Sequence, residues 1–257
     1  MKENELLING GMAHSNAVSF YGKNYQSKAT RDKNGEITVE IKKQKPLPGW
    51  VHSGLQIPLL RGFADTIFAF YMTWWIGLFF LIAPFVMVYR MPIVIETITT
   101  EAKNDSFLSG MIVGLAMVII MLKVTAKGKY HAAEHVLHNL YLQNRSLTIE
   151  EGKKTTRIHE WCGSSCTILL IIYAIIMAYI PMPMWLKIFI WFPFYGEVIM
   201  SQNKYVRSVV MPFKWAGYAF QLLTTSKPKE EHLEVSRQAF QSLLEKEEAL
   251  LKANKTA

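Results

Sequence analysis

The sequence predicts an α-helical integral membrane protein with about four transmembrane helices, a small cytosolic β-rich region at the N-terminus and an amphipathic helix at the C-terminus. Three observations favour this class. The chain of 257 residues is 51% hydrophobic and only 19% charged, with a mean hydropathy of +0.14. Its apolar residues are concentrated in long blocks. The basic residues, which give a net charge of +8, lie mainly between those blocks, as in multi-pass membrane proteins.

Residues 1–62 are predicted to form a cytosolic β-hairpin cap. Apolar and polar residues alternate from Glu36 to Ile41, directly after the turn dipeptide Asn34-Gly35. This pattern is typical of a hairpin. The dipeptide Gly10-Gly11 is interpreted as a turn, because it is too short to form a phosphate-binding loop.

Residues 63–203 are predicted to form a four-span membrane region with a cytosolic metal-site loop at residues 123–166. A run of about 20 apolar residues is long enough to cross the hydrocarbon core of a bilayer. The predicted spans are Thr66–Tyr89, Leu108–Ala126, Thr167–Ile180 and Met184–Met200. The positive-inside pattern then places both termini in the cytosol and the protein in a plasma membrane.

Residues 204–257 are predicted to contain an interfacial segment, Phe213–Leu223, followed by a cytosolic amphipathic helix. Pro228 is suited to opening this helix, and Glu230 and Glu231 in its first turn complement the helix dipole. Apolar residues recur near helical spacing from Leu233 to Leu251.

The segment from His131 to His138 carries the strongest chemical signal. Offsets of three, four and seven residues place His131, Glu134, His135 and His138 on one face of a helix. Two histidines at positions i and i+4 can bind one metal ion, and an adjoining glutamate can act as a general base. The order His-x-x-Glu-His is that of an inverzincin-type zinc site. We therefore expect His131 and His135 to bind metal and Glu134 to be catalytic.

A further metal ligand is expected from the segment His159-Glu-Trp-Cys162, because zinc accepts imidazole and thiolate ligands together. The sequence leaves open whether His159 or Cys162 supplies it. Three other residues, His138, Cys166 and Glu197, are candidates for supporting or alternative ligands. The competing interpretation is a solvated helix face with incidental histidines, Cys166 packed as a small apolar residue, and Glu197 directed toward the cytosolic interface.

Several motifs of the chain resemble those of the YqhQ-like family, bacterial membrane proteins that share domain of unknown function 1385 and are described as predicted metal-dependent enzymes. The similar segments are Gly10–Ala13, Pro58–Gly62, Tyr130–His135, Leu147–Glu150, His159–Ser165, Glu197 and Leu222–Pro228. The resemblance covers most of the chain. It implies a location in a bacterial cell membrane and retention of the candidate ligands.

Three departures from the family pattern identify the chain as a divergent member. Asn16 stands where the family has an acidic residue, Val136 replaces a lysine, and Trp161 replaces an arginine. One carboxylate and two cations of the family pattern are therefore missing, while His131, His135, His159 and Cys162 are retained.

Two functions are consistent with these observations. The first is a metal-dependent hydrolase at the cytosolic membrane face, which uses Zn²⁺ or another divalent transition metal. The alternative is a non-catalytic accessory subunit of a membrane complex, such as a protein-translocation or insertion assembly, in which the metal is structural. The expected partners are the lipid bilayer and other membrane proteins. Nucleic acid is not expected, because no nucleic-acid-binding motif accompanies the basic residues.

Overall fold

The computed structural model divides the chain into two compact units, which are considered separately. It describes residues 7–44, 49–72, 74–101, 116–117, 119–120, 123–160, 162–201 and 203–256. The helices with defined bounds are α1 (Gly49–Gln56), α2 (Arg61–Met72), α3 (Trp74–Glu101), α4 (Ala126–Leu142), α5 (Ile149–Lys154), α6 (Gly163–Ala178), α7 (Met184–Met200), α8 (Lys204–Thr224) and α9 (Glu230–Thr256).

The first unit is built on a four-stranded antiparallel meander. Its strands are β1 (Ile8–Ala13), β2 (Ala17–Gly22), β3 (Tyr25–Arg31) and β4 (Ile37–Lys43), and they neighbour one another in sequence order. The hairpin expected around Asn34-Gly35 is confirmed, because β3 pairs with β4 across it and Gly35 adopts a φ of 92°. The interpretation of Gly10-Gly11 as a turn is wrong, since both glycines lie within β1.

Helices α4 and α9 pack against this sheet and complete its core. The rings of Phe20 on β2 and Phe240 on α9 meet edge to face, with 4.8 Å between their centroids. Leu137 and Leu140 of α4 are buried in the same cluster. The amphipathic C-terminal helix that the apolar spacing predicted is therefore α9, and its apolar face packs in the same core as the N-terminal strands.

A buried carboxylate from α9 holds the turn between β2 and β3. Glu247 is fully buried and accepts hydrogen bonds from the backbone N–H groups of Asn24 and Tyr25, at 2.6 and 2.8 Å. The side-chain amide of Asn24 donates a third, at 2.8 Å. A Cβ atom at Gly22 would lie 2.4 Å from Oε1 of Glu247, so this strand end requires glycine. These bonds satisfy donors that the turn would otherwise bury without a partner.

The second unit consists of α1, α2, α3, α6, α7 and α8 around a core that includes Tyr173 and Trp191. Helix α2 approaches α7 very closely, because a Cβ atom at Gly62 would lie 1.9 Å from the carbonyl oxygen of Phe192. An ion pair between Arg61 and Glu197, at 3.1 Å, accompanies this contact.

The predicted class of four-span membrane protein is wrong, and the predicted location in a plasma membrane fails with it. Within the residues that the structure describes, no helix combines the length and the apolar character needed to cross a bilayer. The second predicted span, Leu108–Ala126, lies mostly outside those residues.

The apolar blocks do not form the uninterrupted spans that the sequence predicted. The first predicted span is divided between α2 and α3, and the chain folds back so that Gly77 packs on the backbone of Phe70. Helices α6 and α7 contain 16 and 17 residues, which gives lengths of about 24 and 26 Å against roughly 30 Å of hydrocarbon. The predicted interfacial segment Phe213–Leu223 is part of α8, where Lys214 and Gln221 are buried.

The substitution Glu247→Ala is expected to lower the free energy of unfolding by about 2–4 kcal/mol, because buried backbone N–H groups lose their acceptor. Denaturant titration measures this change. The matched control is Glu248→Ala, since Glu248 is exposed on the same helix, and it should change stability by less than about 0.5 kcal/mol. Equal effects of the two variants would contradict the role assigned to Glu247.

Candidate metal centre

Helix α4 places the predicted site residues in the interior of the first unit. Glu134, His135 and His138 are 5%, 1% and 1% exposed. His131, one turn nearer the start of the helix, is partly exposed. The interpretation of this stripe as a solvated helix face is therefore wrong. A buried row of imidazoles and one carboxylate needs defined partners, because burying an unpaired polar group is costly.

His135 is oriented by the backbone of the segment that follows α5. Its Nδ1 lies 2.7 Å from the carbonyl oxygen of Arg157. A carbonyl oxygen can only accept, so Nδ1 carries the proton and the neutral ring has its lone pair on Nε2. Arg157 is itself held, because its Nε donates to the hydroxyl of Thr225 at 3.1 Å.

His159 is oriented by the side chain of Asn139. The Asn139 amide nitrogen donates to the carbonyl oxygens of Thr156 and Ile158, at 3.0 and 2.8 Å. These two bonds fix the orientation of the amide, so its oxygen accepts from Nδ1 of His159 at 2.8 Å. The lone pair of the neutral His159 ring is therefore also on Nε2.

His131 is oriented by Glu134. Its Nδ1 lies 2.8 Å from Oε2 of the Glu134 carboxylate. Burial alone would raise the pKa of Glu134. The hydrogen bond from His131 and the neighbouring imidazoles outweigh that effect and lower the pKa. The carboxylate thus stays ionised and accepts the Nδ1 proton, in the arrangement of carboxylate–histidine–metal sites.

A glycine on β1 makes room for this carboxylate. A Cβ atom at Gly11 would lie 2.7 Å from Cγ and 2.8 Å from Oε1 of Glu134. Any other residue at this position would displace the carboxylate that orients His131. Gly11 is therefore part of the support of the site.

His138 lies deeper in the unit than the other imidazoles of α4. Its ring centroid is 4.6 Å from that of His159, and it forms a hydrogen bond with the backbone of Ile8. Burial lowers its pKa to about 4, although the Glu134 carboxylate and the Ile8 bond oppose this shift. Burial and the neighbouring imidazoles likewise lower the pKa of His159 well below its usual value. Both rings are neutral near pH 7.

His131, His135 and Cys162 form a group that could hold a metal ion. One potential ligand atom from each, a ring nitrogen or Sγ, lies within 4.8 Å of the other two. Cys162 is buried at the N-terminal cap of α6. Helix N-termini favour negative charge, so this position suits a thiolate.

The donor set fits a borderline-soft divalent transition metal. Two imidazole nitrogens and one thiolate sulfur suit zinc, whereas magnesium and calcium prefer oxygen ligands. The hydrogen bonds on Nδ1 of His131 and His135 direct Nε2 of each ring toward ligation. Of the two candidates for the third ligand, His159 and Cys162, Cys162 is the member of the group.

None of the three supporting or alternative ligands that the sequence suggested is described as part of the metal group. Glu197 pairs with Arg61 and accepts a hydrogen bond from the backbone N–H of Leu59 at 2.9 Å. His138 is outside the three-residue group. The side chain of Cys166 lies outside the described residues.

Asn139 and Gly11 are supporting residues that the sequence analysis missed. Asn139 follows His135 by four residues, and this helical spacing could have identified it as a member of the same face. No sequence signal connects Gly11 with Glu134, because the two residues meet only through the packing of β1 on α4.

The metal-free protein is expected to lose stability as the pH falls from about 6.5 toward 5. The pKa of His138 is about 4 in the folded protein and about 6.5 in an unfolded chain, so the unfolded state takes up the proton first. This single group contributes up to about 2 kcal/mol over that interval. Denaturant titrations after chelator treatment should give a shallower pH dependence for His138→Gln than for the wild type. Parallel pH profiles would contradict the burial of His138 in a neutral form.

Comparison with known proteins connects these residues to a family. The family described as "Protein of unknown function (DUF1385)" matches residues 59–246. The chain is also 33% identical, over 148 residues, to "Uncharacterized protein YqhQ" of Bacillus subtilis (strain 168). That match covers 53% of this chain and 45% of the relative, so the chain spans about half of the relative's length. No solved structure matches the chain.

The family match includes α4, the segment from Arg157 to Cys162 and most of α9. It therefore contains the three residues of the candidate metal group and the acceptors Glu134, Asn139 and Arg157. The chain belongs to the DUF1385 family, as a divergent YqhQ-like member.

Proposed function

We propose that the chain binds one zinc ion, or another divalent transition metal, through His131, His135 and Cys162 and acts as a metal-dependent hydrolase. The observation that supports this proposal is the orientation of the ligands. Nδ1 of both histidines is held by an oxygen acceptor, so a metal would find Nε2 already directed as the ligand atom.

Three protein ligands are typical of a catalytic zinc site. Zinc prefers four ligands, so a site with three from the protein leaves one position for water or substrate. A zinc ion in such a site acts as a Lewis acid in hydrolysis. Glu134 was expected to be the general base, but one of its oxygens accepts from His131. We therefore propose that Glu134 is a positioning residue for His131.

A second candidate function is a non-catalytic accessory subunit, of a protein-translocation or insertion assembly for example, with a structural metal. The position of His159 favours it, because the centroid of this ring is 5.4 Å from that of His135. If this ring supplied a fourth ligand, the site would have the four protein ligands that are typical of a structural metal.

Elemental analysis of the purified protein tests the site. We expect about one zinc ion per chain in the wild type and a loss of most of it in His135→Ala and Cys162→Ser, because each substitution removes a ligand. His14→Ala is the matched control, since His14 bonds to Ser19 and is outside the group. Equal metal content in all variants would contradict the assignment.

The substitution Glu134→Gln tests the positioning role. A neutral amide holds the Nδ1 proton of His131 less strongly than a carboxylate, so metal affinity should fall roughly 10–100-fold. Competition with a chelator measures this affinity. The control is Glu150→Gln on the exposed side of α5, which should leave the affinity unchanged. An unaltered affinity in Glu134→Gln would contradict the role.

An exogenous ligand separates the two candidate functions. Cobalt-loaded protein should change its absorption spectrum when azide is added if one coordination position is open to solvent. A spectrum that azide leaves unchanged in the wild type, but alters in His159→Ala, would favour the structural metal with four protein ligands.

A further inference from the structure

Strand β4 forms an open edge of the sheet in the first unit. Its neighbour in the sheet order is β3, and the pairing of the two strands is uninterrupted. Directly after β4, the N–H of Gln44 donates to the carbonyl oxygen of Asn24. Backbone groups alternate in direction along an antiparallel strand, so the even-numbered residues of β4 bond to β3. Ile37, Val39 and Ile41 therefore direct their N–H and C=O groups outward, where no described backbone group pairs with them.

The odd-numbered residues form an apolar row on the face of the sheet that packs against α9. Ile41 is opposite Ser27, whose hydroxyl donates to the carbonyl oxygen of Ala239 in α9 at 2.7 Å. Ile37 and Val39 pack against the core of the first unit, whereas Ile41 is 40% exposed. The apolar row thus reaches the open edge without complete cover.

The other face of this edge carries charges of both signs. Glu36, which directly precedes β4, and Glu40 and Lys42 within it are all exposed. Lys42 lies 3.1 Å from Glu40 of the same strand. An exposed edge strand is a template for pairing with another chain, and its charges decide which pairings are tolerated. Opposite charges across a pair of strands stabilise it, whereas like charges directly opposite destabilise it.

Antiparallel pairing of β4 with β4 of a second copy satisfies both faces in one register. With Val39 opposite Val39, Ile37 of one copy lies opposite Ile41 of the other, and the apolar row is covered. The same register places Glu36 of one copy opposite Lys42 of the other. These two residues form a pair without mutual backbone bonds, in which the Cα atoms are only about 4.5 Å apart.

The neighbouring registers are less favourable. Centring the pair on Glu40 would bring two carboxylates directly opposite each other. A centre one residue before Val39 would place Glu36 opposite Glu40, which are again both acidic. A centre at Ile41 would place Val39 opposite Lys43 and interrupt the apolar row. The charges on β4 thus disfavour two of these three alternatives and favour the register about Val39.

We propose that β4 is a dimer interface, at which two copies of the chain pair antiparallel about Val39 and join their four-stranded sheets into one. The interface is isologous, because the same strand serves both copies. It forms about six main-chain hydrogen bonds from groups that the single chain leaves at the edge. The proposal is independent of the metal site, since β4 supplies no member of the metal group.

Sedimentation velocity of the wild type over a range of concentrations tests the proposal and should show a dimer with a micromolar Kd. Val39→Pro removes an outward N–H that β3 does not use, so the single chain should still fold. We expect this substitution to raise the dimer Kd about tenfold or more, because it deletes two bonds of the interface. Val39→Thr is the matched control, since it retains the N–H and a β-branched side chain, and its Kd should stay within about twofold of the wild type.

A charge exchange tests the register without removing a backbone bond. Glu36→Lys and Lys42→Glu should each raise the Kd roughly three- to tenfold, because each makes two symmetry-related pairs repulsive. The double variant restores opposite charges and should return the Kd to within about twofold of the wild type. Lys154→Glu is the control for overall charge, since Lys154 is exposed on α5, and it should leave the Kd unchanged.

The contrary outcomes are distinct. A wild type that remains monomeric at every concentration would overturn the proposal. A dimer that Val39→Pro and both charge reversals leave unaltered would place the interface elsewhere and overturn it equally. Weakening by the single reversals that the double variant does not relieve would contradict the register about Val39. Circular dichroism of each variant verifies that the comparison is between folded proteins.

Discussion

The hydrogen bond that each of three histidines forms through Nδ1 is the constraint on which the centre depends. His131 donates to a carboxylate, His135 to a backbone carbonyl and His159 to an amide oxygen. Each acceptor fixes one tautomer and one ring orientation, so the imidazoles need no reorganisation to present Nε2. Because the rings of His135 and His159 are buried, the same bonds also satisfy polar groups whose burial would otherwise destabilise the fold.

The rest of the first unit maintains these acceptors. The packing of β1 on α4 requires a glycine at position 11, where the Glu134 carboxylate lies. Thr225 accepts a hydrogen bond from the side chain of Arg157, and the backbone carbonyl of Arg157 accepts the hydrogen bond from His135. Segments far apart in the sequence therefore converge on one helix. In the second unit, by contrast, Arg61 pairs with Glu197 and Gly62 allows α2 to approach α7. These residues, which belong to segments similar to the family, stabilise the packing of α2 on α7 and are not members of the metal group.

Local patterns identified the local features of the chain. The alternation around Asn34-Gly35 predicted the β3–β4 hairpin, and helical spacing placed the histidines of α4 on one face. Membrane spans were predicted because hydropathy records how apolar a stretch is. It does not show where one helix ends and the next packs back on it, as α3 does on α2 where Gly77 meets Phe70. The contacts of Glu134 with Gly11 and of His159 with Asn139 were not predicted for a related reason, because tertiary packing brings these residues together.

The tautomers of the histidines test this account most directly. Long-range ¹H–¹⁵N NMR spectra of the metal-free protein distinguish a protonated Nδ1 from a protonated Nε2 in each ring. The account predicts that the proton of the neutral ring lies on Nδ1, and not on Nε2, in His131, His135 and His159, with zinc shifting the Nε2 resonances of His131 and His135. A protonated Nε2 in His135, or zinc on its Nδ1, would contradict it.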